Sequence, residues 1–288
     1  MKNFVLLSAF LLISVPMTLA QDDSGLLVIK EYLYDLENEL KIYGVLPSDH
    51  DPQKEYPAIV IFHGGGWAIG EASWGFNNAR HYADKGIVAF SVQYRLQDLE
   101  NGITPYESVL DAQTAIRWVR ENAGKFSIDQ NKIAAYGWSA GAHLAACAAI
   151  FENLDSPNEK ISSAPNLLAL KSPALSLLSY SNFQKRLLDK IDVENLSPAE
   201  HVSETTPPTI IVIGRTDTVT PLAGSELFQN SMIGFGNDSE LHIYDGVGHL
   251  FTPASEPDDG WPNPDKEVYA KAQQEIDAFL EKHGYIVK

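Results

Sequence analysis

Ser139 stands between two glycines in Gly137-Trp138-Ser139-Ala140-Gly141, after a short apolar run and before an alanine-rich one. A strand that turns sharply into a helix needs glycines flanking the turn, because a Cβ there would clash as the chain doubles back. Such a turn lifts the Ser139 hydroxyl off the carboxyl edge of a sheet and aims the Ala140 amide at the same space. The chemistry this serves is nucleophilic attack on a carbonyl. Upstream, His63-Gly64-Gly65-Gly66-Trp67 follows the apolar run 58–62. Consecutive glycines let a backbone come close to a substrate with its N–H groups free, which stabilising an alkoxide requires. At this chain's residue frequencies a chance His-Gly-Gly-Gly is expected roughly 0.003 times, against roughly 0.1 for Gly-x-Ser-x-Gly, so the glycine loop is the sharper signal. A phosphate-binding loop would end in Lys-Ser/Thr, and this one does not.

Asp217 follows the apolar run 209–213 through Gly214-Arg215-Thr216, and His249 follows 241–244 through Asp245-Gly246-Val247-Gly248. Ser139, Asp217 and His249 therefore occur in the order Ser, Asp, His, each just past the end of a separate strand, where three loops can converge. Other eye-catching residues read more plainly. His143 suits packing, because the turn carries its helix away from the serine. Asp245 is an alternative acid but fits a turn residue better. His201 and His242 belong to no constellation, and His63 suits bracing the glycine loop. Trp67, Trp138 and Trp261 either line a substrate pocket or are buried.

For the three loops to meet, the chain must supply strands that end beside one another. Residues 26–34 and 40–45 read as two β segments joined through the polar 35–39, and 58–62 and 87–92 as strands covered on both faces. A helix is expected around 77–85, with Gly86 behind it. The next is signalled more fully. Thr104 is an N-cap, Pro105 fits the first helical position and Glu107 completes a capping box. Val109, Ala112, Ile116 and Val119 share one face, and Gly124 is expected to close the helix. A short strand at 133–136 leads through the serine turn into a helix over 139–151. Further strands are expected at 174–178, 209–213 and 241–244. A last helix is expected from Asn263-Pro264 to about Lys282, with Val268, Ala272, Ile276 and Phe279 inside. This alternation means an α/β fold, a mainly parallel sheet with helices on both faces.

Composition narrows the functions. Lys+Arg 21 against Asp+Glu 38 gives a net charge of −17, without the clustered basic residues that a nucleic acid or an anionic bilayer would need. Lys2, the apolar stretch 4–15 and the small-x-small ending Thr18-Leu19-Ala20 read as a signal peptide over residues 1–20, too short to span a bilayer comfortably. No Cys follows Ala20 to carry a lipid anchor. The expectation is a single catalytic domain over 21–288, exported to the periplasm or the medium and leaving no membrane partner after cleavage. Cys147, the one cysteine, lies in an apolar run and reads as a buried structural thiol. No Cys/His cluster at zinc spacing and no calcium loop occurs, so neither a metal nor another cofactor is expected. Nothing in the sequence signals an oligomeric state.

The His-Gly-Gly-Gly-Trp loop, the Gly-x-Ser-x-Gly turn and the late Asp and His together resemble the α/β-hydrolase superfamily, in its esterase/lipase branch of hormone-sensitive-lipase-like enzymes and secreted carbohydrate esterases. The likeness extends to Tyr94-Arg95-Leu96 and to Ser197-Pro198 ahead of Pro207-Pro208, covering nearly the whole mature chain. It implies Ser139 as nucleophile, His249 as general base and acid, Asp217 as its orienting partner, and the amides of Gly65, Gly66 and Ala140 as an oxyanion hole. One feature departs from it. Hormone-sensitive-lipase relatives carry a long helical cap ahead of the glycine loop, and here only about forty mature residues precede it, most reading as strands. A reduced or absent cap is expected.

An open serine site suits acyl groups on a bulky polymer better than a long lipid chain. The expected function is a secreted serine carboxylesterase that removes short acyl groups, acetyl or feruloyl, from xylan-like polysaccharide or its oligosaccharides. A general short-chain carboxylesterase or lipase is the alternative. A serine peptidase of the prolyl-oligopeptidase type shares the Trp after the first turn glycine, but completes its oxyanion hole with a Tyr hydroxyl and carries a large accessory domain. A binding module without catalysis would usually have lost one of the three side chains.

Overall fold

The computed structural model describes residues 27–152, 154, 160–181 and 183–287. The expected signal peptide over 1–20, the mature start at Gln21 and the first residue of the expected opening strand lie outside the described residues.

Eight strands form one sheet. They are β1 (Lys30–Asp35), β2 (Leu40–Val45), β3 (Tyr56–Phe62), β4 (Val88–Val92), β5 (Ile128–Trp138), β6 (Leu167–Lys171), β7 (Thr209–Gly214) and β8 (Ser239–Tyr244), in spatial order β1-β2-β4-β3-β5-β6-β7-β8. β1 and β2 pair antiparallel, as do β2 and β4, and every later pair is parallel. β4, β6, β7, residues 58–62 of β3 and residues 133–137 of β5 are buried and mainly Val, Ile, Leu, Ala and aromatic, as strands covered on both faces must be, while the polar start of β5 at 129–132 reaches solvent.

The helices are α1 (Phe76–Ala83), α2 (Pro105–Glu121), the short α3 (Ala123–Phe126), α4 (Ala140–Ile150), the four-residue α5 (Phe183–Arg186), α6 (Leu222–Phe235) and α7 (Lys266–Lys282). One core holds Val109, Ala112, Ile116 and Val119 of α2 with the inner residues of α4 and α6. The other holds Ala79 and Tyr82 of α1 with Ala272, Ile276 and Phe279 of α7. Helices thus cover both faces. The start of α2 is as expected: the Thr104 hydroxyl accepts the Tyr106 N–H at 3.2 Å, and the Glu107 carboxylate accepts the Thr104 N–H at 2.7 Å.

Four expectations need correction. The sixth strand is Leu167–Lys171, and the expected strand at 174–178 is instead buried loop and a single 3-10 turn. Both stretches are apolar, but Pro173 removes an amide and Ser172 takes φ 42°, so the chain leaves the sheet before Ala174. Helix α6 had no counterpart in the sequence reading. Gly224, Gly234 and polar residues dilute its pattern, and only Ser225, Phe228 and Met232 are buried. Gly124 does not close α2: that helix stops at Glu121, and Gly124 lies inside α3, which Ser127 ends with φ 56°. Finally, α7 starts at Lys266 because the Asp265 carboxylate accepts the Glu267 and Val268 N–H groups, both at 3.0 Å.

Lys171 closes β6 with its ammonium fully inside the protein. Nζ lies 4.0 Å from the centre of the Tyr269 ring and 5.6 Å from that of Tyr136, and it has no hydrogen-bond partner among the described residues. Burial pushes this amine down to about 7, against a partial offset from Asp277. The unfolded chain keeps the proton to about pH 10.5, so the amine opposes folding most below pH 7 and progressively less as pH rises towards 10. Lys171→Met should therefore stabilise the protein by about 1–3 kcal/mol at pH 6. Urea melts at pH 6 and pH 9.5 check this, since the gain should shrink at the higher pH; an equal gain at both would exonerate the buried amine.

Candidate active site

Adjacent strands β3 and β5 end side by side, and from β3 the chain moves to β4 on one flank and later to β5 on the other. That is a topological switch point, where loops at the carboxyl ends open a crevice. The glycine loop leaves β3 there, and the serine turn leaves β5.

Ser139 holds φ 54° and ψ −123°, strained values for a residue with a side chain. The surrounding geometry enforces them. A Cβ on Gly141 would lie 2.1 Å from the Phe62 carbonyl oxygen, and one on Gly137 would lie 2.4 Å from the Gly141 backbone. These contacts let α4 start directly against the end of β3. The Ser139 N–H donates to the Lys171 carbonyl at 2.9 Å, which ties the turn to β6.

The three late residues meet. The Ser139 hydroxyl lies 3.0 Å from Nε2 of His249, and Nδ1 of the same ring lies 2.9 and 3.1 Å from the two Asp217 carboxylate oxygens. Asp217 also accepts the Val219 N–H at 3.0 Å, the Thr220 N–H at 2.6 Å and the Thr220 hydroxyl at 2.8 Å. All three side chains are buried to within a few per cent, yet Ser139 and His249 border an open cleft of about 530 Å³. A carboxylate held by fixed donors against one ring nitrogen, with a hydroxyl at the other, is an arrangement for activating that hydroxyl.

Gly65 and Gly66 line the same cleft. Gly65 has φ 119°, and a Cβ there would strike the Ile69 carbonyl at 2.0 Å; Gly66 has φ 60°. Among the described residues neither N–H donates to a protein acceptor, whereas the Gly65 carbonyl takes the Ala68 and Ile69 N–H groups. Ala140 opens α4, where first-turn amides have no acceptor within the helix and the positive end of the helix dipole adds to their effect. The glycine loop is braced from behind. His63 Nδ1 lies 2.7 Å from the Gly64 carbonyl, and the Tyr94 hydroxyl donates to the His63 carbonyl at 2.8 Å. Burial pushes the His63 imidazole down to about 4, so the ring is neutral near pH 7 and serves as a brace. On the outer side Arg186 of α5 donates to the Gly66 carbonyl at 2.6 Å and to Gln97 at 2.7 Å.

That contact shows what the segment between β6 and β7 does. It contains α5 and three 3-10 turns, a small cover that packs beside the glycine loop while the cleft over Ser139 stays open. His143 is buried, accepts from the Trp67 indole at 3.2 Å and contacts the Leu196 carbonyl at 2.7 Å. Cys147 is buried beside it. Asp245 is exposed and paired with Arg215.

Of the three tryptophans named from sequence, Trp138 and Trp261 line the cleft. Trp67 does not. It is 4% exposed and packs behind the loop against His143, Phe183 and Arg186, so its place is structural. Sequence reasoning passed over Trp74, which lies edge-to-face with Trp261 at 5.8 Å and completes an aromatic rim with it. It also passed over Thr220, Asp258 and Asp259. Trp74 had a signal in its setting, since a lone indole in the polar stretch Glu71-Ala72-Ser73-Trp74-Gly75 has no helical or strand face to bury it. Asp258 and Asp259 had none, as acids in a Pro-rich loop look merely solvated.

The sequence pattern of the BD-FAE family matches residues 42–232. The propionate-bound structure of Thermogutta terrifontis esterase 2 superposes with a TM-score of 0.79 at 32% identity, over 90% of this chain and 96% of that one. The probable isoprenylcysteine alpha-carbonyl methylesterase ICME of Oryza sativa subsp. japonica is 29% identical over 237 residues, covering 72% of this chain and 56% of that protein. Endo-1,4-beta-xylanase B of Butyrivibrio fibrisolvens is 26% identical over 217 residues, covering 70% of this chain and 33% of that protein. Against the first curated relatives, the chain spans about half of their length.

Proposed function

The chain belongs to the BD-FAE family of α/β-hydrolases, and from that membership and the geometry of the cleft we propose that it is an exported serine carboxylesterase acting on short acyl esters, with acetyl groups on xylan-like polysaccharide or its oligosaccharides as the natural substrate. The observation that carries the esterase reading is the unbroken relay from Ser139 through His249 to Asp217 beside the free amides of Gly65 and Gly66.

On this reading Nε2 of His249 takes the Ser139 proton as Oγ attacks the ester carbonyl, and Asp217 stabilises the imidazolium that forms. The developing alkoxide is held by the amides of Gly65, Gly66 and Ala140, which are in place beforehand. His249 then protonates the departing alcohol, leaving an acyl group on Ser139. Water, deprotonated by the same ring, attacks that ester and frees the acid.

The glycan assignment rests on the outer part of the cleft. Trp74 and Trp261 offer exposed indole surface, 37% and 76% accessible, and the neighbouring Asp259 offers a carboxylate to sugar hydroxyls. Flat aromatic surface beside acceptors suits the apolar face and rim hydroxyls of a neutral sugar ring. The similarity to a xylanase and to an esterase solved with propionate agrees with a short acyl group on a glycan. Export rests on residues 1–20, and N-terminal sequencing of mature protein from the periplasm or medium should begin at Gln21.

Acetate release from acetylated xylan and from acetylated xylo-oligosaccharides, set beside p-nitrophenyl acetate and butyrate, tests the substrate. Trp261→Ala should raise KM for the acetylated oligosaccharides about tenfold, roughly the worth of one aromatic stacking contact, and leave p-nitrophenyl acetate almost unchanged. Ready cleavage of butyrate esters with no acid freed from any glycan would reduce the reading to a general short-chain carboxylesterase.

A further inference from the structure

His249 does not sit on a regular element. It opens a short turn, His249–Phe251, in which Leu250 and Phe251 take φ 49° and 69°. Asp217 lies in the loop after β7. Two loops of this kind need something to hold them in register, because the imidazole must stay within hydrogen-bond reach of both its partners.

Asp258 meets that need. Its Oδ2 accepts the His249 N–H at 2.9 Å and the Thr218 N–H at 3.0 Å, while the Thr218 hydroxyl donates to Oδ1. One carboxylate therefore joins the backbone of the histidine to the residue directly after the aspartate. The space for it is reserved, since a Cβ on Gly248 would stand 2.3 Å from Oδ2 and meets no other atom more closely. Burial works against its ionised form, but the donors from Thr218 and His249 outweigh that and hold the carboxyl below its usual range. The loop bearing it is itself pinned, with the Ala254 N–H on the Gly246 carbonyl at 2.8 Å and the Asp265 N–H on the Phe251 carbonyl at 2.8 Å. Asp258 also borders the cleft, three residues before Trp261.

We propose that Asp258 is a positioning residue for the hydrolytic reaction, a clasp that sets the His249 ring between Ser139 and Asp217 by fixing the backbone on both sides. The inference rests on the reading of those three residues as a working triad. Its effect should fall on the chemical step and spare ground-state binding, since a small misalignment of a catalytic group costs up to about 100-fold in rate.

Asp258→Ala, with active sites counted by a fluorophosphonate, should lower kcat on p-nitrophenyl acetate about 10- to 100-fold and leave KM within about twofold. Asp258→Asn keeps an oxygen for the two N–H groups and should recover most of that loss. Gly248→Ala, which pushes the carboxylate away, should reproduce the loss, and the double variant with Asp258→Ala should be no worse than either single one, as expected when two changes break one contact. A wild-type kcat per labelled site in Asp258→Ala overturns the proposal and leaves the carboxylate a purely structural one; so do additive effects in the double variant. If Asp258→Ala does not fold, Asp258→Asn and Gly248→Ala carry the test on their own. If the wild type cleaves no carboxylic ester, the esterase reading fails separately, and the rate of fluorophosphonate labelling at Ser139 in each variant still reports on the clasp.

Discussion

Ser139→Ala is expected to lower kcat on p-nitrophenyl acetate by about 10⁶-fold, to the level that the oxyanion hole and binding sustain without a nucleophile. The hydroxyl lost is the one 3.0 Å from Nε2 of His249. Among the described residues that line the cleft, no other carries a hydroxyl. Folding should be almost untouched. Alanine keeps the Cβ, so the cost of φ 54° at this position is already present in the wild type, and the change removes one hydrogen bond worth about 1 kcal/mol. The checks are kcat, loss of fluorophosphonate labelling, and a thermal melt close to that of the wild type. Residual turnover of more than a few per cent would mean that the acyl group is taken by some other residue.

Asp217→Asn carries the second-largest effect, about 10⁴-fold in kcat, and the hydrogen bonds show why the loss is so large for so small a change. Oδ1 takes the Val219 and Thr220 N–H groups at 3.0 and 2.6 Å, so an asparagine must turn its oxygen to that side. Its NH₂ then occupies the place of Oδ2, 2.9 Å from Nδ1 of His249, and donates to it. A ring that accepts at Nδ1 carries its proton on Nε2, and that nitrogen can no longer take the proton from Ser139. Binding should survive, so KM should change little while kcat collapses. Asp245→Asn is the matching control, since Asp245 is exposed and paired with Arg215, and its loss should be silent. A mild effect at Asp217 with a severe one at Asp245 would reassign the acid.

The parts of the site that the sequence signals most sharply share one property: they are enforced largely by local backbone geometry. Gly137, Gly65 and Gly66 are required by close approaches or by positive φ within a few residues of themselves, and such demands leave a fixed spelling, while Gly141, which the distant Phe62 carbonyl requires, is spelled by its place in the same turn. The same holds for the capping box at Thr104 and Glu107, where donor and acceptor are three residues apart. What escaped had no local spelling. Leu167–Lys171 and the apolar stretch after Pro173 are nearly equivalent as sequence, and the choice between them fell to pairing with β5 and β7. Trp67 and Trp74 are both indoles next to glycine, yet one is buried under α5 and the other forms the rim.

The amino-acid sequence by itself determined the class of the sheet, the nucleophile turn, the glycine loop and the order in which an acid and a base follow them, because strand patterning and glycine placement act over short stretches of chain. Only the tertiary structure decided which aromatics reach the cleft, that Arg186 holds the glycine loop from outside, and that Asp258 ties the loops of Asp217 and His249 together. Those contacts join residues nine to 120 positions apart, and a hydrogen bond formed across such a separation constrains neither partner's neighbours in the chain, so it leaves nothing there to read.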